Sequence, residues 1–226
     1  MKQTLNGGSP VGKWLLNAIV LGGIRLILKA LGGYRRIFEH NPPRTGALIV
    51  APNHISHADP ALVAVTIPRR CKYLATDELF TIRFLGRLCT AMGAFPIKQD
   101  SPDLGAMRRA LGVLKAGEAL VAFPEGHESA DGALQPLQGG VLMLAQRSGC
   151  AVLPVGIAGT DSVVPPRSFR FVRTSTRLVI VYGEAIPWEE LSGGLSGRPG
   201  LEAARERLGI EIRRLRTKAL EYRGAP

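Results

Sequence analysis

The sequence predicts an α/β fold: a mostly parallel central sheet flanked by helices, with an N-terminal apolar helix that associates with membranes. Three observations predict it. Short apolar runs rich in β-branched residues, such as ALIVA at 47–51 and ALVAF at 119–123, read as strands covered on both faces. Stretches with helical spacing alternate with these runs, the pattern of a parallel sheet with crossover helices. The 226 residues are 46% hydrophobic and 21% charged, a balance that fits one sizeable core and not a disordered chain.

Taken in order, residues 1–10 read as a flexible polar start. Residues 11–31, VGKWLLNAIVLGGIRLILKAL, are mostly apolar from Trp14 onward but are broken by Asn17, Arg25 and Lys29. The stretch 14–31 would reach about 27 Å as a helix, just short of a hydrocarbon core of about 30 Å. Trp14 at one end and cationic side chains at the other fit a helix lying in the membrane interface. Residues 1–33 are therefore set apart as a membrane-associating segment, and 34–226 as the α/β domain. A strand is expected at 47–51, a loop at 52–59 and a helix at 60–67. A strand at 72–75, helical spacing over 77–92 and a strand at 95–97 follow. A helix over 102–115 closes at Gly117 and leads to the strand at 119–123. A helix over 137–147 stops at Gly149, and strands follow at 151–157 and 177–182. The charged helix at 201–222 carries Leu201, Leu208, Ile212 and Leu215 on one stripe.

The net charge of +11 and pI near 10.2 call for an anionic partner. Aromatic residues are only 6% and are not interleaved with basic ones, and no nucleic-acid-binding motif is present, so nucleic acid is disfavoured. An anionic membrane surface, reached from the cytoplasmic face, is the expected partner. Cys71, Cys89 and Cys150 are odd in number and widely spaced. They form neither a disulfide framework nor a CxxC pair, and they read as buried free thiols in a reducing compartment.

Two loops carry the chemistry. The first, after the 47–51 strand, reads Asn53-His54-Ile55-Ser56-His57-Ala58-Asp59-Pro60. Asp-Pro is a helix start, with Asp59 expected as the cap. His54 then sits in the loop, and the chain can fold back to bring it against Asp59. A carboxylate on one imidazole nitrogen fixes the tautomer and leaves the other free to take a proton from a hydroxyl. The same spacing also fits a capping Asp59 beside a surface histidine. The second loop, Phe123-Pro124-Glu125-Gly126-His127-Glu128-Ser129, follows the next buried strand, and its Glu-Gly suits close approach of a substrate to the backbone. It holds no G-x-S-x-G elbow, which argues against a serine hydrolase.

NHISHAD, GAFPIKQD, FPEGHES and VLPVGIAG, in that order, resemble the ordered motif blocks of the glycerolipid acyltransferase family, the group that includes 1-acylglycerol-3-phosphate O-acyltransferases. The likeness covers roughly residues 35–187. It implies an O-acyltransferase of phospholipid biosynthesis, with acyl-CoA or acyl-carrier protein as co-substrate and a lyso-lipid as acceptor. No cofactor and no metal are implied. His54 would be the general base and Asp59 its support, with Glu125 and Gly126 shaping the acceptor site. Asn53, Phe123 and Pro124 would hold the loops in place. His127 and Glu128 stand where the family has Thr and a phosphate-gripping Arg. Thr76, Gln99 and Gln138 replace further basic positions, with Lys98 the nearest substitute for the Gln99 position. The loss points to an acceptor without a bare phosphomonoester, or to replacement charge from Lys72, Arg83, Arg87 or Lys98. Two rival classes carry over. One is a metal-dependent hydrolase using His54, His57, Asp59 and His127, although no HxH or HExxH spacing is present. The other is a non-catalytic lipid-binding protein of the same fold. His57 is expected to be a loop residue near the site and not a second base.

Overall fold

The apolar runs form the strands expected of them. A computed structural model describes residues 10–98, 103–166, 168 and 170–224, with side chains from residue 15 onward. The chain runs α1 (Pro10–Leu31), β1 (Tyr34–Phe38), β2 (Leu48–Pro52), α2 (Asp59–Thr66), β3 (Cys71–Thr76), α3 (Asp77–Thr81), α4 (Arg83–Ala91), β4 (Ala94–Ile97), α5 (Leu104–Lys115) and β5 (Ala119–Val121). It continues with α6 (Gly139–Ser148), β6 (Ala151–Ala158), α7 (Thr160–Val163), β7 (Leu178–Tyr182), α8 (Trp188–Leu191) and α9 (Gly197–Gly224). Among the described residues one seven-stranded sheet has the order β1-β7-β6-β2-β5-β3-β4, with β7 antiparallel to β6 and every other pairing parallel.

The period of two along β2 divides it between two cores. Leu48 and Val50 face a cluster built with Leu62, Val63 and Val65 of α2 and Leu28 of α1. Ile49 and Ala51 face a second cluster, with Ala110 and Leu114 of α5, Leu142 and Leu144 of α6, and Leu208 and Ile212 of α9. Every residue of β2 is buried, which is why the strand reads as a continuous apolar run. Because β6, β2 and β5 are adjacent and parallel, their C-terminal ends open together, and the loops that follow them meet over one edge of the sheet.

Four expectations change. The 77–92 stretch is two short helices, because Ile82 between them has extended backbone (φ −81°, ψ 107°). Asp59 caps nothing: the residue flanking α2 is Ala58, and no side-chain cap bond is made. The edge strand β1 was not expected from its sequence, YRRIF. Lys72 lies at the far end of the sheet from His54, paired at 3.7 Å with Glu118 just ahead of β5, so it supplies no charge to the site. The expected flexible start falls outside the described residues except for Pro10, which opens α1.

The helix α1 packs Leu28 into the body and leaves Leu15, Leu16, Ile19, Leu26 and Ile27 exposed. Asn17 donates to the Ala91 carbonyl at 2.8 Å, which pins α1 beside α4, where Phe84 is 79% exposed. Among the described residues no helix is long and apolar enough to cross a membrane. The three cysteines are free, and burial pushes the Cys71 thiol up to about 12.

Candidate active site

The loop from 53 to 58 leaves β2 and is tied to the strands on both sides. Asn53, fully buried, donates its amide to the Ile157 carbonyl (3.1 Å) and accepts from the Ile157 N–H (2.7 Å). Its carboxamide thus ties the start of the loop to β6. On the other side, Glu125 from the loop after β5 accepts the His54 N–H on Oε1 and the Gln135 N–H on Oε2, both at 2.6 Å. The Ser129 N–H closes a third tie, to the His54 carbonyl, at 2.8 Å. Gly126 turns this loop with φ +79°, a left-handed conformation that glycine adopts without steric cost.

Between these ties stands the pair expected from the sequence. His54 Nδ1 lies 2.9 Å from Asp59 Oδ2, with the Asp59 side chain fully buried and the His54 side chain 16% exposed. The same oxygen accepts the N–H groups of Ile55 (2.7 Å) and Ser56 (2.9 Å). Asp59 therefore bends backward onto its own loop instead of capping α2. Its other oxygen, Oδ1, accepts from the Thr160 hydroxyl at 2.5 Å. Phe123 stacks on the imidazole, with ring centroids 4.1 Å apart and planes 28° from parallel. With Nδ1 held by the carboxylate, Nε2 has no hydrogen-bond partner among the described residues and is the nitrogen left to exchange a proton.

The remaining expected residues are placed differently. Pro124 is buried, and its carbonyl accepts the Gln138 N–H at 2.6 Å, so this pair shapes the loop. His127 is exposed. Glu128 is in contact with His57 Nδ1, so the two loops also meet through these side chains. Lys98 lies just past β4, and β5 and β3 separate that strand from β2. Three strand spacings put it about 14 Å to the side, which makes it a flank residue and not part of the His54 cluster. Gln99 lies outside the described residues. No three His, Cys, Asp or Glu side chains converge to hold a metal ion among the described residues. Thr160, Ser56 and Gln135 were not foreseen. Thr160 could have been found by extending the rule that sites collect at strand ends to the third adjacent strand, β6.

Glu125 shows how tightly the two loops depend on each other. Burial raises its carboxyl above the ordinary 4.5, against the opposing pull of the N–H donors of Gln135 and His54. Glu125→Gln would turn an NH2 group onto one of the two backbone N–H donors in either flip. The expected result is a loss of about 2 kcal/mol and a fall in Tm of roughly 4–8 °C, read by thermal denaturation of both proteins.

The Acyltransferase family model matches residues 36–158. A 1-acyl-sn-glycerol-3-phosphate acyltransferase of Bacillus subtilis is 24% identical over 196 residues, covering 86% of this chain and 94% of its own. The chloroplastic 1-acyl-sn-glycerol-3-phosphate acyltransferase LPAT1 of Arabidopsis thaliana is 27% identical over 146 residues. That match covers 64% of this chain and 41% of the plant protein, so the chain spans less than half of that relative. The crystal structure of the 1-acyl-sn-glycerophosphate acyltransferase PlsC from Thermotoga maritima superposes with a TM-score of 0.75 at 22% identity, over 98% of this chain and 86% of that one, and shares the fold.

Proposed function

As this chain belongs to the Acyltransferase family, we propose that it transfers a fatty acyl group from the thioester of acyl-CoA or acyl-carrier protein to the free hydroxyl of a lysoglycerophospholipid-type acceptor. The observation that carries the reading is the His54–Asp59 pair, a partly open imidazole held at 2.9 Å by a carboxylate with no solvent exposure. His54 Nε2 takes the proton of the acceptor hydroxyl as its oxygen attacks the thioester carbonyl. The C–S bond then breaks, and the imidazolium returns the proton to the leaving sulfur. The products are an ester and a free thiol, and no acyl-enzyme is formed. Asp59 fixes the tautomer and balances the charge that His54 gains in the transition state.

The relatives named for 1-acylglycerol-3-phosphate make that lipid the reference acceptor. Glu128 is engaged by His57 of the neighbouring loop, so its carboxylate has a partner close at hand beside an acceptor phosphate. Residues 1–33 act in this reading as a membrane-associating segment ahead of a catalytic domain over 34–226. The exposed Leu15, Leu16, Ile19, Leu26 and Ile27 would enter the interface of an anionic membrane on its cytoplasmic face, with Arg25 and Lys29 at the headgroups.

The test is transfer of labelled acyl groups by the purified protein, with acyl-CoA and with acyl-carrier protein as donor. The acceptors are lyso-lipids with and without a phosphomonoester, presented on anionic vesicles. Transfer to at least one lyso-lipid is the expected result. No transfer to any acceptor from either donor would leave a non-catalytic lipid-binding protein as the better reading.

A further inference from the structure

We infer that Thr160 is a positioning residue for the His54–Asp59 pair, acting through its hydroxyl on the carboxylate oxygen that His54 does not use; this rests on the function proposed above. Both side chains are fully buried, and the Thr160 hydroxyl donates to Asp59 Oδ1 at 2.5 Å across 101 positions of sequence. Asp59 Oδ2 is already shared by the imidazole and the N–H groups of Ile55 and Ser56. Thr160 is the one side chain among the described residues that engages Oδ1, so it sets the rotation of the carboxylate about its own bond. That rotation decides whether Oδ2 lies in line with His54 Nδ1.

The backbone is arranged to deliver this hydroxyl. Gly159 ends β6 with φ +90°, and a Cβ there would stand 3.0 Å from the Arg177 carbonyl oxygen and 3.1 Å from Arg223 Nε. The turn therefore demands glycine, and it throws the next residue inward over the end of β6. A second tie from the same segment holds the other side of the loop: the Ser56 hydroxyl donates to the Val164 carbonyl at 2.7 Å. The loop after β6 thus grips the catalytic loop at two points, one of them directly on the carboxylate.

Thr160→Val keeps the volume and removes the donor, and Thr160→Ser keeps the donor and removes a methyl. The valine variant is expected to lose kcat by roughly 10–100-fold, the range for a catalytic group slightly displaced, with KM for donor and acceptor within twofold of wild type. The serine variant should recover most of that loss. Proton NMR of the hydrogen on His54 Nδ1, assigned with His54→Ala, supplies a signal independent of turnover. That resonance should move in the valine variant and stay in the serine variant. Thr160→Ala carries the same test if the valine variant does not fold. A valine variant with wild-type kcat and an unmoved resonance would overturn the inference, and so would a serine variant as impaired as valine. If the wild-type protein transfers no acyl group at all, the functional reading falls and the resonance alone decides the role of Thr160.

Discussion

His54→Ala is expected to lower acyl transfer by roughly 10²–10⁴-fold, the range for removing a positioned general base, while the protein stays folded. The two halves of that outcome have separate structural causes. The activity falls because Nε2 is the nitrogen left open at the site once Nδ1 is held by Asp59. The fold survives because Asp59 keeps its other partners: the N–H groups of Ile55 and Ser56 on Oδ2 and the Thr160 hydroxyl on Oδ1. The lost stacking on Phe123 and the lost hydrogen bond cost on the order of 1–2 kcal/mol. The measurement is kcat and KM for both substrates beside a thermal melt. His57→Ala is the contrast, since His57 faces Glu128 and should leave most of kcat in place. An alanine variant at position 54 that turns over at near wild-type rate would remove His54 from the chemistry.

Asp59 should show a different division between chemistry and folding, depending on what replaces it. Asp59→Asn can keep the framework: its oxygen faces the Ile55 and Ser56 N–H groups and the imidazole, and its NH2 faces Thr160, whose hydroxyl then accepts. What it loses is the charge that supports the imidazolium, so kcat is expected to fall by about 10³-fold or more with little change in Tm. Asp59→Ala instead leaves four groups without their acceptor: the N–H groups of Ile55 and Ser56, the Thr160 hydroxyl and His54 Nδ1. It should cost about 3–5 kcal/mol, the range for breaking a buried charged cluster, and lower Tm by roughly 10 °C or more. Kinetics and melts of both variants side by side check this. Equal loss of Tm in the two variants would mean that the carboxylate charge itself holds the loop.

The sheet was legible where strands are covered on both faces. All of β2 and β5 is buried, and their runs are visibly apolar. The edge strand β1 was not legible, because its two arginines find partners far along the chain: Arg35 lies over the Tyr222 ring, and Arg36 donates to the Thr66 carbonyl. The His54–Asp59 pairing could be argued from a separation of five positions within one short segment. The way Asp59 is held could not, since Asp-Pro reads as a helix start and its decisive partner, Thr160, is 101 positions away. Glu128 stood out as a reversal of charge, yet the residue against it, His57, lies in the other loop, and only the pairing of strand ends brings the two together. Local chemistry was thus readable from short-range spacing. Whatever depended on contacts between distant strand ends was not.

The ties that hold residues 53–59 to neighbouring segments have a consequence for how the molecule opens. Asn53 is bonded to β6, the backbone of His54 to the segment after β5, and Asp59 to the segment after β6. Stretches that carry function usually belong to the least protected part of a protein, exchanging their amide hydrogens through small local openings. Here the His54–Asp59 pair belongs to the same cooperative unit as the centre of the sheet. The amides of His54, Ile55 and Ser56 can reach solvent only when that unit opens, so the pair is dismantled by unfolding and not by fraying.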